Sequence, residues 1–77
     1  MMTKYIGKTG ERVGQADDQI TIVADSTSEA MTKLLGYSAD QWPESDGPYE
    51  AVVWLEDSEG NLIESESVEI NADGTRA

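Results

Sequence analysis

The segment that decides the fold runs from Tyr49 to Ile70 and reads YEAVVWLE-DSEGN-LIESESVEI. Its first part is rich in β-branched and aromatic side chains, which favour a strand. Asp57–Asn61 is polar and contains glycine, which is typical of the connection between two strands of a hairpin. The sequence therefore predicts an antiparallel hairpin with strands at Tyr49–Glu56 and Leu62–Ile70.

The two faces of the first strand differ. Side chains alternate between faces along a strand, so Val53 and Leu55 share one face and Trp54 lies on the other. If a helix covers only one face, either Trp54 or the Val53 set is exposed. An exposed tryptophan beside acids is a good anchor for a partner, whereas a tryptophan buried under a loop is the structural alternative.

The return strand carries aliphatic and acidic residues on one face. Strict alternation places Leu62, Val68 and Ile70 on the same side as Glu64 and Glu66. We therefore expect either a β-bulge that re-aims the strand or an end of the sheet that faces water.

One helix is predicted before the hairpin. Ser26 and Glu29 form a capping box, in which each side chain accepts a hydrogen bond from a free backbone N–H at the helix start. An apolar stripe continues to about Leu35, and Gly36 stands where a left-handed cap would end the helix. Residues 38–42 form one further short turn in this interpretation.

The N-terminal part predicts strands separated by glycine turns. Lys4–Ile6 is a short strand, Gly7 and Gly10 mark a turn, and a second extended piece surrounds Val13. Gln19–Val23 is β-branched and alternating, which predicts another strand.

These elements fit one small domain over residues 1–77, with a frayed tail at about 71–77. The predicted fold is α+β: a small antiparallel sheet of three to five strands with one main helix packed on one face.

The charge of the chain is far from balanced. There are 16 Asp and Glu against 5 Lys and Arg, a net charge of −11. From Leu34 to Thr75 there are eleven acids and no Lys or Arg. Such single-sign charge opposes compaction, so we infer that it serves something other than folding. Direct binding to nucleic acid or to anionic membranes is disfavoured, because both require basic residues.

Catalytic and metal-binding patterns are missing from the sequence. It contains no Cys and no His, the commonest catalytic and metal-ligating residues besides carboxylates. Gly7-Lys8-Thr9 lacks the earlier glycine of a phosphate loop, and Asp57–Asn61 lacks the spacing of a calcium loop. A Glu64–Glu66 pair on an exposed strand lacks the cleft that acid–base catalysis needs. We predict no enzymatic activity, no cofactor and no metal.

The sequence also bears on localisation. No apolar run approaches the roughly 20 residues of a membrane span, and the N-terminus lacks the apolar stretch of a signal peptide. We expect a soluble, cytoplasmic protein.

In size, acidity and absence of catalytic groups, the whole chain resembles small acidic inhibitors encoded by bacteriophages, of the DNA-mimic anti-CRISPR and anti-restriction type. The resemblance implies stoichiometric inhibition, in which the protein occupies the basic nucleic-acid groove of a host defence complex. The alternative is an acidic, non-catalytic structural or accessory domain, for example from a halophile, whose charge maintains solubility.

The predicted contact residues follow from the uninterrupted acids and the nearby aromatics. We expect six of the acids to lie on one face, away from Lys4, Lys8 and Arg12: Glu50, Glu56, Asp57, Glu59, Glu64 and Glu66. Their crowding is expected to raise carboxyl pKa values. The predicted partner-binding residues are Tyr49, Glu50, Trp54, Glu56, Asp57, Glu59, Glu64 and Glu66.

Overall fold

The computed structural model describes residues 2–77. It contains β1 (Thr3–Arg12), β2 (Gln15–Ala24), α1 (Thr27–Ala39), β3 (Tyr49–Glu56) and β4 (Leu62–Ile70). The strands form one antiparallel sheet in the order β2-β1-β3-β4. The predicted α+β fold, with three to five strands and one helix, is confirmed. No helix among the described residues is long and apolar enough to cross a membrane.

The predicted hairpin is present with the predicted bounds. Its turn is closed by Asp57, whose Oδ1 accepts the backbone N–H groups of Glu59 and Asn61, each at 2.9 Å. Gly60 adopts a φ of 86°, a left-handed conformation that favours glycine. Local side-chain chemistry thus fixes the connection between β3 and β4.

A β-bulge explains the mixed composition of β4. Leu55 pairs with Glu64, but Glu56 pairs with Leu62, which leaves Ile63 as an extra residue. The bulge turns Leu62 away from the face that carries the helix, whereas Glu64 stays on that face and is exposed. The structure therefore contains both expected features, the β-bulge and an end of the sheet that faces water.

The predicted turn at Gly7 and Gly10 is wrong. β1 continues through both glycines, and the chain reverses only after Arg12, where Gly14 has a φ of 92°. Gly7 instead lies beneath the helix. A Cβ atom at Gly7 would be 2.7 Å from Ile22 Cδ1 and 2.8 Å from Leu34 Cδ1. Close packing, rather than chain reversal, requires this glycine.

The start of α1 agrees with the predicted capping box, with one change. Ser26 Oγ accepts the backbone N–H of Glu29 at 3.1 Å. Glu29 Oε2 accepts the N–H of Asp25 at 2.8 Å, rather than that of Ser26. The helix therefore has both reciprocal bonds, shifted by one residue at one side.

The end of α1 corrects the sequence-based prediction. Gly36 lies inside the helix, which continues to Ala39. The turn beyond Gly36 is held by tertiary contacts: Ser38 is fully buried, and the Tyr37 hydroxyl donates to Asp18 Oδ2 at 2.8 Å. These contacts outweigh the cost of an interior glycine, about 1 kcal/mol relative to alanine.

The main core lies between α1 and the sheet. The helix packs over β1, β2 and β3, and β2 and β3 run in the same direction on either side of β1. The buried members of this core are Tyr5, Ile22, Ala24, Ala30, Met31, Leu34, Ala51, Val53, Leu55, Val68 and Ile70.

The tail at 71–77, predicted to fray, folds back onto the sheet. The N–H of Asn71 donates to the carbonyl of Thr75 at 2.7 Å, and the N–H of Ala77 donates to the carbonyl of Glu69 at 2.9 Å. Ile70 and Arg76 form an antiparallel bridge. The outer edge of β4 is thus partly covered at its C-terminal end.

We predict that Gly7→Ala destabilises the domain by about 1–3 kcal/mol, because the added methyl group overpacks the contact between α1 and β1. Gly36→Ala is the matched control. A Cβ atom at Gly36 meets nothing within 4 Å, so this change should stabilise the domain by up to about 1 kcal/mol. Urea unfolding of both variants measures the difference, and equal effects would contradict the packing role of Gly7.

Candidate partner-binding surface

The six acids that were expected to form one face do not share one, so that prediction is wrong. In the β3–β4 register Glu64 pairs with Leu55 and Glu66 with Val53, which places both acids on the helix side of the sheet. Glu50 follows the opposite alternation and projects from the other side. The predicted residues are found at three separate places.

The first place is a polar cover over Trp54. Trp54 is only 1% exposed, and its indole N–H donates to Glu56 Oε2 at 2.6 Å. Lys8 lies directly opposite Trp54 in the sheet, and its Nζ is 2.9 Å from Glu56 Oε1. Trp54 is therefore not an exposed anchor in this structure, because its ring is buried on the face that lacks a helix.

This cluster also corrects the expected separation of charges. Lys8, which was expected to lie away from the acids, bonds to Glu56, and the two side chains are 24% and 15% exposed. Hydrogen bonds from Lys8 and then from the Trp54 indole hold the pKa of Glu56 below its ordinary value. Glu56 thus stabilises the domain rather than presenting a free charge.

The second place is the far end of β3. Tyr49 and Glu50 begin this strand, whereas the turn at Asp57–Asn61 follows its end, about 25 Å away at 3.3 Å per residue. The Tyr49 hydroxyl donates to the carbonyl of Pro43 at 2.7 Å. Tyr49 and Glu50 therefore cannot act together with the acids of the turn on a small contact area.

The third place keeps half of the predicted residues together. Asp57, Glu59, Glu64 and Glu66 lie at the turn and along the neighbouring part of β4, and we call them the turn–edge surface. Asp57 is half-buried and the other three are exposed. Glu64 and Glu66 are about 7 Å apart, two residues along one strand. Arg76 Nη2 is 3.9 Å from Glu66 Oε2, an exposed contact that contributes at most about 1 kcal/mol.

A shallow groove beside this surface was not predicted. It lies between α1 and β4, has a volume of about 320 Å³, and contains the apolar side chains of Met31 and Leu35 with Glu64 and Glu66 on its rim. Leu35 belongs to the apolar stripe of the helix but is only partly buried. The sequence did contain one indication of this groove, because the apolar stripe of the helix is wider than the part that the core buries.

The expected rise of carboxyl pKa values is contradicted at three acids. The pKa of Glu56 is lowered chiefly by Lys8, as above. The pKa of Asp57 is lowered by the backbone N–H groups of its turn, first that of Asn61. The pKa of Asp73 is lowered by hydrogen bonds from Thr75, chiefly the one from its hydroxyl.

In residues 2–77 no group of three or more acids is arranged to hold a metal ion.

A carboxyl whose pKa is lower in the folded state than in the unfolded state stabilises the fold at any pH above its unfolded-state pKa. This stabilisation is lost as the pH falls through its folded-state pKa. The ordinary values are 4.5 for Glu56 and 3.8 for Asp57 and Asp73. The contributions of these three acids are therefore present at neutral pH and disappear in acid.

We predict that Glu56→Gln costs about 1–2 kcal/mol of unfolding free energy at pH 6, because charge-assisted hydrogen bonds are weakened. The cost should shrink at pH 3, where the wild-type carboxyl is becoming protonated. Glu59→Gln, an exposed acid of the same turn, should cost less than about 0.5 kcal/mol. Urea unfolding at both pH values checks this, and a cost for Glu56→Gln that grows in acid would contradict it.

No family model, curated protein or solved structure matches this chain. The charges, contacts and cavities described above are therefore the features that bear on its function.

Proposed function

We propose that this protein is a non-catalytic, stoichiometric inhibitor that acts in the host cytoplasm. In this proposal the turn–edge surface occupies the basic nucleic-acid groove of a host defence complex, as a DNA mimic of the anti-CRISPR type does. One observation carries the proposal: Glu64 and Glu66 project on the helix side of the sheet but remain exposed. The helix packs over the other three strands, so β4 presents its acids as an open edge.

The construction of the turn supports this function. The Asp57 side chain bonds three groups of its own turn: the N–H groups of Glu59 and Asn61 and the Asn61 amide. The acids are thus mounted on a preorganised hairpin, which loses little conformational entropy when it binds. The Lys and Arg residues of a nucleic-acid groove are already placed to receive negative charge.

The basic side chains do little to offset this charge. Lys8 is paired with Glu56, and Lys33 contacts Glu29 at 3.7 Å. Within residues 2–77, the basic residue that contacts the turn–edge surface is Arg76, near Glu66. The domain is also elongated, with extents of 42 × 20 × 15 Å, a shape that suits insertion lengthwise into a groove.

The second candidate function is an acidic structural or accessory domain, such as a halophilic one. It is favoured by the placement of acids on both faces, with Glu50 opposite Glu69 on the side away from the helix. Charged residues on an edge strand also prevent edge-to-edge aggregation. In this reading Glu64 and Glu66 protect β4 and bind nothing.

We predict that Glu64→Lys/Glu66→Lys weakens binding to the target complex about tenfold, because two steering charges are reversed. Purified RNA-guided and restriction complexes would be tested by pull-down and by titration at several salt concentrations. Glu44→Lys/Asp46→Lys is the matched control, since it makes the same charge change in an exposed loop and should have a much smaller effect.

The same titration separates the two candidate functions. A DNA mimic should be displaced by saturating DNA, and its affinity should fall as salt rises. Capture that saturating DNA leaves unchanged would exclude the mimic mechanism even if inhibition occurs. A domain that binds none of the complexes and gains stability up to molar salt would favour the halophilic alternative.

A further inference from the structure

A cavity of about 830 Å³ lies at the end of the domain opposite the turn–edge surface. It is lined by the end of β1, the starts of β2 and β3, and the segment after α1. Two aromatic residues, Trp42 and Tyr49, belong to its lining. Its volume is in the range of about 300–1,000 Å³ that is typical of ligand sites in proteins.

Two β-bulges contribute acids to this cavity. Asp17 is the extra residue on β2 and Glu11 is the extra residue on β1, where the β1–β2 register shifts twice. The strands approach so closely there that a Cβ atom at Gly10 would be 2.1 Å from the carbonyl oxygen of Gln15. Bulges re-aim side chains, and both extra residues line the cavity.

The lining is strongly acidic. Its lining includes Glu11, Asp17, Asp18 and Glu50 but a single basic residue, Arg12, which gives a formal net charge of −3. Within residues 2–77 Arg12 lies beyond ion-pair distance of every carboxylate. The cavity therefore favours a cation.

The two aromatic residues of the lining are held by contacts with the rest of the domain. The Tyr49 hydroxyl bonds to the carbonyl of Pro43 at 2.7 Å, and Trp42 packs against the edge of the main core. The Trp42 indole N–H is buried and has no hydrogen-bond partner among residues 2–77. This atom is not accessible to a ligand, so a ligand in the cavity would contact Trp42 through its ring.

We propose that this cavity binds an arginine side chain presented by a peptide segment of another protein. A guanidinium group stacks on aromatic rings and bonds to carboxylates through its planar set of N–H donors, whereas a lysine ammonium is a point charge. The exposed Gln41 side chain, which also lines the cavity, can donate to and accept from the backbone of the bound peptide. The site is separate from the turn–edge surface and does not depend on the function proposed for that surface.

The test uses the full-length ¹⁵N-labelled protein and follows the two indole N–H resonances by NMR. The probe is a capped Gly-Arg-Gly peptide. It should shift the Trp42 resonance and leave Trp54, which is buried on the other side of the sheet, unchanged. The matched lysine peptide should bind about threefold to tenfold more weakly, and the uncharged citrulline peptide should not bind measurably.

Variants test whether the cavity itself is responsible. Glu11→Gln/Asp17→Asn should weaken binding of the arginine peptide about tenfold, since the two carboxylates that the bulges bring to the lining lose their charge. Glu59→Gln/Glu64→Gln has the same net charge and should change the affinity less than twofold. The double reversal Glu64→Lys/Glu66→Lys measures independence from the turn–edge surface and should leave the peptide shift at Trp42 in place.

Three results would overturn the proposal. One is an unmoved Trp42 resonance at millimolar peptide. Another is equal weakening by both charge-neutralising pairs, which would show a response to net charge alone. The third is equal affinity for the peptide and for Nα-acetylarginine methylamide, which would replace the peptide with a small guanidinium compound.

Discussion

One short helix has to cover a sheet of four strands, and most features of this domain follow from that constraint. A helix of 13 residues is about 20 Å long, while the domain extends over 42 Å. The helix can approach the sheet closely only because Gly7 leaves space for Leu34. What α1 covers becomes the core, and the β4 edge and the far end of the sheet remain open to water.

Charged and hydrogen-bonded side chains occupy the parts of the sheet that the helix does not cover. On the face without a helix, the Lys8–Glu56 pair covers Trp54 and satisfies its indole N–H. At the β4 edge, Glu64 and Glu66 occupy positions where aliphatic residues would extend the core. A small domain has little stability to lose, so the sequence keeps these regions charged and leaves the apolar residues to the region beneath the helix.

The elements that local chemistry determines could be predicted from the sequence. The hairpin and its turn depend on residues close in the chain, such as Asp57 and Gly60, and so does the helix start at Ser26. Gly7 and Gly36 were misinterpreted because a glycine looks the same in a turn, in a helix cap and under a close contact. Only the tertiary structure distinguishes these cases.

The candidate sites were harder to predict, since they depend on register. Whether Glu50 and Glu64 share a face depends on the bulge at Ile63, and a bulge shifts the alternation by one residue. The cavity depends on two further bulges, which give Glu11 and Asp17 positions that no regular pattern would predict. Its aromatic residues, Trp42 and Tyr49, are separated by a polar loop, Pro43–Pro48, and the sequence does not predict the path of this loop.

The two acidic regions, the turn–edge surface and the cavity, differ in the surroundings of their carboxylates. The turn–edge surface is exposed to solvent, where salt screens its field beyond about 8–10 Å, so it suits attraction and orientation of a large basic partner. The cavity places exposed carboxylates beside two aromatic residues, so it suits a cation whose shape allows stacking as well as ion pairing. In these two proposals, attraction of a partner at one end and selection of a cation at the other operate independently, because the length of β3 separates them.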